Sequence, residues 1–212
     1  MSRVLPKSSS ELEQAEKKYR EKLEMEKQKG SKEGMAIAYS NLGTIYLTIG
    51  HLNEAEEMFQ KCLELEEELV DREGMASNYG YLGTIYQIRG ALIQAETMYK
   101  KSLEINQELG RMEGKATLYG KLGEIYYTRR DLDQAEDMFK KSLEVEETPD
   151  NKGALATTYG YLGDIYRLKT DLSQAEEMYN KSLKLFEAIG SERMIGIVRT
   201  MLANLKMKKK QR

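Results

Sequence analysis

Asn78–Gly90 reads NYGYLGTIYQIRG and places three tyrosines within eight residues of a chain that has no tryptophan. A shift of 40 residues finds the pattern again, as YGKLGEIY at Tyr119–Tyr126 and as YGYLGDIY at Tyr159–Tyr166. The opposite shift gives YSNLGTIY at Tyr39–Tyr46. Self-similarity at a fixed period marks a repeat architecture, in which each unit is one supersecondary element. The tyrosines therefore belong to a module, and each module position is either packing or surface.

The register holds along the chain. Leu42, Leu82, Leu122, Leu162 and Leu202 correspond, as do Gly43, Gly83, Gly123 and Gly163. A second half-unit carries Ala15, Ala55, Ala95, Ala135 and Ala175, each followed four residues later by Tyr19, Phe59, Tyr99, Phe139 or Tyr179. Apolar and small residues at i, i+3, i+4 and i+7 define one face of a helix, so each unit holds two amphipathic helices, A and B. Gly50 and Gly90 stand where A should stop, Asp131 and Asp171 where B can be capped, and Gly30, Gly110 and Gly190 just after B. A helix of roughly 17 residues is about 25 Å long and cannot bury its apolar stripe alone, so the hairpins must stack. The expected fold is an all-α solenoid of antiparallel helix pairs, about ten helices in all.

Composition bounds the function. The 212 residues carry 35 acidic and 33 basic side chains, and this near-balance gives no electrostatic case for a nucleic-acid binder. No apolar run approaches the roughly 20 residues that span a bilayer, and the opening residues have no signal-peptide pattern. Cys62 is the only cysteine, which excludes an intramolecular disulfide and fits a reducing compartment. A cytoplasmic protein with no membrane or nucleic-acid partner is expected. Asn180-Lys181-Ser182 matches a glycosylation sequon but falls inside an expected helix, where it reads as chance.

Tyr39, Leu42, Gly43, Tyr46, Ala55, Phe59 and Cys62, with Ser102, Ser142 and Ser182 at the last small position, resemble the tetratricopeptide repeat signature. The usual repeat has 34 residues and this one has 40, without a proline closing helix B. The longer form is similar to the repeats of kinesin light chains, of Leu-Gly-Asn-type polarity adaptors and of many bacterial tetratricopeptide proteins. The resemblance implies a right-handed superhelical solenoid over residues 11–208. Half a repeat (11–30) precedes full repeats at 31–70, 71–110, 111–150 and 151–190, and a terminal half repeat (191–208) follows. Residues 1–10 are expected to be disordered, and 209–212 to be a basic, frayed tail.

In tetratricopeptide folds helix A lines a concave groove, so the resemblance implies that the face of A opposite its packing stripe is the binding surface. At about 100° per residue, Leu82, Gly83 and Tyr86 lie close to Tyr79, whereas Ser77, Tyr81, Thr84 and Ile88 lie about 140–200° away. The outward positions read Ile37, Asn41, Thr44, Thr48; Ser77, Tyr81, Thr84, Ile88; Thr117, Lys121, Glu124, Thr128; and Thr157, Tyr161, Asp164, Leu168. They vary where the packing positions barely do, as expected if each unit meets a different part of a partner. The expected peptide-binding residues are Asn41, Tyr81, Thr84, Lys121, Glu124, Tyr161, Asp164 and Arg167, with Tyr127 near the edge.

Other constellations fit structure better. Glu124 and Asp164 could suggest paired acid-base carboxylates, but Lys121 and Arg167 stand at ordinary helix-surface spacings and no histidine is near in sequence. Cys62 occupies a small core position, and Met58, Met98, Met138 and Met178 recur every 40 residues as core residues would. The Lys and Asn pattern that clamps chaperone tails is not matched, since only Asn41 and Lys121 are available. No catalytic residue, metal ligand or cofactor is expected. Gly80, Gly120 and Gly160 each cost a helix roughly 1 kcal/mol, which leaves two readings open: close approach of a ligand backbone, or of the adjacent A helix. Ile195, Ile197, Val198, Met201, Leu202 and Leu205 make an unusually apolar last helix that either packs on the preceding helix B or meets a partner. The expectation is a non-enzymatic protein-interaction scaffold or adaptor for a peptide segment. Self-assembly into a homo-oligomer through the C-terminal helix is the alternative.

Overall fold

The computed structural model describes residues 9–145 and 151–210, apart from the side chains of Ser9 and Glu113. Most of the expected disordered start, the end of the third repeat and residues 211–212 of the tail lie outside these residues. All the secondary structure described is helical, and the chain divides into two compact units, Met1–Gly110 and Arg111–Arg212.

In the first unit α1 (Ser9–Lys29) precedes two hairpins, α2 (Lys32–Ile49) with α3 (Leu52–Leu69) and α4 (Arg72–Ile88) with α5 (Leu92–Glu108). In the second, the hairpins α6 (Met112–Thr128) with α7 (Leu132–Val145) and α8 (Lys152–Leu168) with α9 (Leu172–Ile189) are followed by α10 (Glu192–Lys210). Within each unit, neighbours in sequence pack on one another. This is an all-α helical-repeat solenoid fold.

The Leu-Gly glycine is what lets a hairpin close. A Cβ added to Gly43, Gly83, Gly123 or Gly163 would lie 2.7, 2.6, 2.8 or 2.5 Å from the ring of Phe59, Tyr99, Phe139 or Tyr179 respectively. Each of those rings is at most 1% exposed, so the ring uses the space that a side chain on helix A would take. The small position of helix B ties the same pair together. Ser102, Ser142 and Ser182 donate to the carbonyls of Ala76, Ala116 and Ala156 at 2.7, 2.9 and 2.7 Å, and the Cys62 Sγ lies 3.1 Å from the Ala36 carbonyl.

The second tyrosine of helix A reaches back to the preceding helix B. Tyr46 donates to Glu16 at 2.8 Å, Tyr86 to Glu56 at 2.5 Å and Tyr166 to Glu136 at 2.9 Å. Around Glu136 burial opposes ionisation, but Lys140 and Lys169, each 2.6 Å away, join Tyr166 in holding its carboxyl down at about 2. A carboxyl lowered from about 4.5 in this way stabilises the fold above that value and loses its contribution as pH falls through about 2. Glu136→Gln is therefore expected to cost about 1–2 kcal/mol at neutral pH. Thermal melts of the two proteins should converge between pH 4.5 and 2.

Turn geometry follows the glycines where they occur: Gly30, Gly50, Gly90, Gly110 and Gly190 all take left-handed φ. Val70, Arg130 and Thr170 hold the equivalent positions in the same conformation at φ 55°, 64° and 66°, with the steric strain that a Cβ brings there. Asp131 and Asp171 cap as expected, accepting the backbone N–H of Gln134 at 3.2 Å and of Gln174 at 3.0 Å.

The last helix answers one open choice and changes one expectation. Ile195, Val198, Leu202 and Leu205 are buried and α10 packs on α9, so the apolar stripe of the last helix is mainly packing; Ile197 keeps 38% exposure. Lys209 and Lys210, placed in the frayed tail, are helical, since α10 runs to Lys210.

Candidate functional site

Each unit contains a cleft on the face that its A helices present, and these two clefts occupy equivalent repeat positions 80 residues apart. The first, about 500 Å³, opens between α2 and α4 above the end of α3. Ala36, Ile37 and Ser40 form one wall, Gly74, Ser77, Asn78 and Tyr81 the other, and Glu66 and Leu69 the floor. The second, about 230 Å³, lies between α6 and α8, with Thr117, Gly120, Lys121 and Glu124 facing Ala154, Thr157 and Tyr161.

The two tyrosines expected to point away from the core do not stand free. Tyr81 stacks on Phe59 at 4.7 Å between centroids with the planes 9° apart, and Tyr161 stacks on Phe139 at 4.9 Å and 10°. Both are half-buried. Helix α4 packs on α5 within its own hairpin and on α3 before it, so two of its faces are covered where the single-stripe reading allows for one. Tyr127 meets Tyr161 edge-on at 5.4 Å. Packing thus fixes the rings of Tyr81 and Tyr161 in place.

Lys121 and Glu124 both line the second cleft and pair with each other at 3.1 Å. Asn41, Thr84, Asp164 and Arg167 are not among the residues lining either cleft. Asn41 donates back to the Ile37 carbonyl at 2.6 Å. Thr84 bonds the Gly80 carbonyl at 3.0 Å and lies 3.2 Å from the Tyr99 hydroxyl, which also donates to Gln87 at 2.8 Å. Asp164 accepts the Tyr179 hydroxyl at 2.8 Å and Arg167 at 2.8 Å. Burial together with this carboxylate pushes the Tyr179 phenol well above its ordinary range.

A pattern internal to the protein emerges. Where helix B carries tyrosine, at Tyr99 and Tyr179, the facing helix A supplies polar partners for a nearly buried hydroxyl. Where helix B carries phenylalanine, at Phe59 and Phe139, no hydroxyl needs one, and the next helix A supplies a stacking tyrosine instead. Part of the variation at Thr84 and Asp164 is therefore set by packing.

The helical glycines are resolved against the adjacent-helix reading. A Cβ on Gly80, Gly120 or Gly160 would meet the Oγ of Ser102, Ser142 or Ser182 at 3.7, 3.7 or 3.6 Å, which is ordinary contact, and nothing of a neighbouring A helix.

Sequence reasoning missed the floor of the first cleft. Glu66 and Asn78 are 5% and 1% exposed, with the Asn78 Nδ2 donating to Glu66 at 2.6 Å. The Cys62 Sγ lies 3.3 Å from the same carboxylate, and burial pushes its thiol up to about 12, so it is an inert thiol. The available signal was register: polar residues stand at 66 and 78 where the fourth repeat has Phe186 and the terminal half repeat has Val198.

Helical hairpins of fixed period, closed by a ring against a glycine and stacked within each unit, define a helical-repeat interaction fold. The chain belongs to the tetratricopeptide repeat family, whose model matches residues 8–68, 74–148 and 116–188. The fold is similar to that of BtubC (BKLC) from P. vanneervenii, at TM-score 0.67 and 19% identity, covering 94% of this chain and 92% of the other. It is also similar to MamA, at TM-score 0.58 and 21% identity, covering 80% and 96%. No curated protein matches the chain by sequence. Tetratricopeptide repeats generally mediate protein–protein interactions, and no described helix is long and apolar enough to cross a membrane.

Proposed function

We propose that the chain is a non-enzymatic adaptor that binds peptide segments of a partner protein along the faces of its A helices, with the two clefts receiving side chains of the ligand. The observation that carries this reading is the equivalence of the clefts. Packing repeats every 40 residues, yet the described linings differ in chemistry: Gly74 and Asn78 line the first cleft where Ala154 and Thr158 line the second, which adds the Lys121–Glu124 pair. Tyr81, Lys121, Glu124 and Tyr161 are the direct contacts. Asn41 stands on α2 at the register of Tyr81, and Thr84, Asp164 and Arg167 stand one turn or more beyond the tyrosines of α4 and α8; these four position the surface around the contacts.

Gly120, which lines the second cleft, fits this reading. A helical glycine that packing does not require lowers the wall of the cleft and lets a ligand backbone lie close to helix A.

Ser77 and Thr157 test it, because both are exposed, line the clefts and touch no core ring. The full chain is offered a displayed random peptide library. Peptides enriched on the wild type are expected to be lost on a Ser77→Arg/Thr157→Arg variant whose stability stays within about 0.5 kcal/mol of the parent. Failure to enrich any peptide, or equal capture by the variant, overturns the proposal.

A further inference from the structure

The floor of the first cleft is more polar than its place in the fold requires. In the repeat register, the positions of Glu66 and Asn78 become Phe186 and Val198 in the last hairpin and α10, where both side chains are buried. The same junction therefore closes with an apolar pair, and a buried carboxylate with a buried amide is a cost that packing does not explain.

That carboxylate lacks a counter-charge. Its hydrogen-bond partners, Asn78 and Cys62, are neutral, and the charge acting on it is that of Asp71, which adds to burial in disfavouring ionisation. Asn78 Oδ1 is a buried acceptor without a partner in the structure. Glu33 and Asp71 stand at the cleft mouth, and no lysine or arginine is among the residues lining it. Gly74 belongs to the same arrangement, since a Cβ there would overlap the Glu66 carboxylate. The glycine makes room for the acid at the cleft floor.

We propose that this cleft is a specificity pocket for a basic side chain, lysine or arginine, of the bound partner segment. Glu66 is its ion partner, and the unpartnered Asn78 oxygen is a further acceptor. The inference rests on the peptide-binding reading above. An ammonium or guanidinium supplies both the missing positive charge and several donors, and its aliphatic stem fits beside the Tyr81 ring. A metal ion is a poorer match, because no group of three ligating side chains among the described residues is arranged to hold one. In the second unit the position of Glu66 is held by Glu146, which lies outside the described residues, while Asn78 becomes Thr158, Gly74 becomes Ala154, and Lys121 is already present among the lining residues.

The test uses the full ¹⁵N-labelled chain and blocked amino acids as probes: N-acetyl-lysine and N-acetyl-arginine methylamides, with their Nε-acetyl-lysine and citrulline analogues as neutral controls. Saturable shifts of the Asn78 side-chain amide and the Gly74 backbone amide are expected with the cations. Affinity should be at least about tenfold weaker for the neutral analogues and for Glu66→Gln. Asn78→Leu, which copies Leu118 at the same register, is expected to weaken cation binding while the protein stays folded. Absence of saturable shifts, equal shifts with the neutral analogues, or unchanged affinity in Glu66→Gln overturns the proposal. A chain that captures displayed peptides but fails here retains the peptide-binding function and loses the basic-side-chain pocket. A chain that binds the cations but captures no peptide retains the pocket and loses the peptide-binding function.

Discussion

Gly163→Ala is expected to lower stability by about 2–3 kcal/mol, whereas Gly160→Ala, three residues earlier on the same helix, leaves it unchanged or raises it by up to about 1 kcal/mol. A methyl group on Gly163 would lie 2.5 Å from the Tyr179 ring, which is fully buried and closely packed. The α8–α9 hairpin must open to accept it, and the strain outweighs the gain in helix propensity. On Gly160 the same methyl meets the Ser182 hydroxyl at 3.6 Å, so only the propensity gain remains. Parallel denaturant titrations of the two variants separate the cases. Equal effects would mean that the ring does not hold the hairpin.

Asp164→Ala is expected to cost about 2 kcal/mol, because the Tyr179 hydroxyl loses its acceptor in a place that water reaches poorly, and Arg167 loses a partner 2.8 Å away. In a Tyr179→Phe background the same substitution should cost less than about 1 kcal/mol, the range of a surface ion pair. The hairpin then resembles its Phe139 counterpart, where Glu124 pairs with Lys121 on the helix surface. An unchanged cost in the Phe background would dissociate Asp164 from the hydroxyl and return it to the ligand-binding surface.

The repeat register, the two-helix unit, the turn glycines and the aspartate caps were legible in the sequence because each has a local signature: a period, a spacing or a φ that glycine favours. The roles of Tyr81 and Thr84 were not. A wheel assigns one buried face to a helix, while α4 is covered by α5 and α3 together, which brings Tyr81 onto Phe59. Thr84 answers a hydroxyl 15 residues away, a demand visible only when the helix B aromatic and the helix A polar residue are considered as one pair. Glu66 and Asn78 were readable in principle. Each looks ordinary in a charged chain, and only comparison with Phe186 and Val198 shows that the fold accepts something cheaper there.

The alternation of phenylalanine and tyrosine on helix B sets the length at which the array can be edited. Excising residues 71–110 would keep every helix in phase yet bring Phe59 before Lys121, without the aromatic face it now stacks on. Excising 71–150 would bring Phe59 before Tyr161 and restore the match. The backbone register of this protein thus repeats every 40 residues, while its aromatic packing repeats every 80.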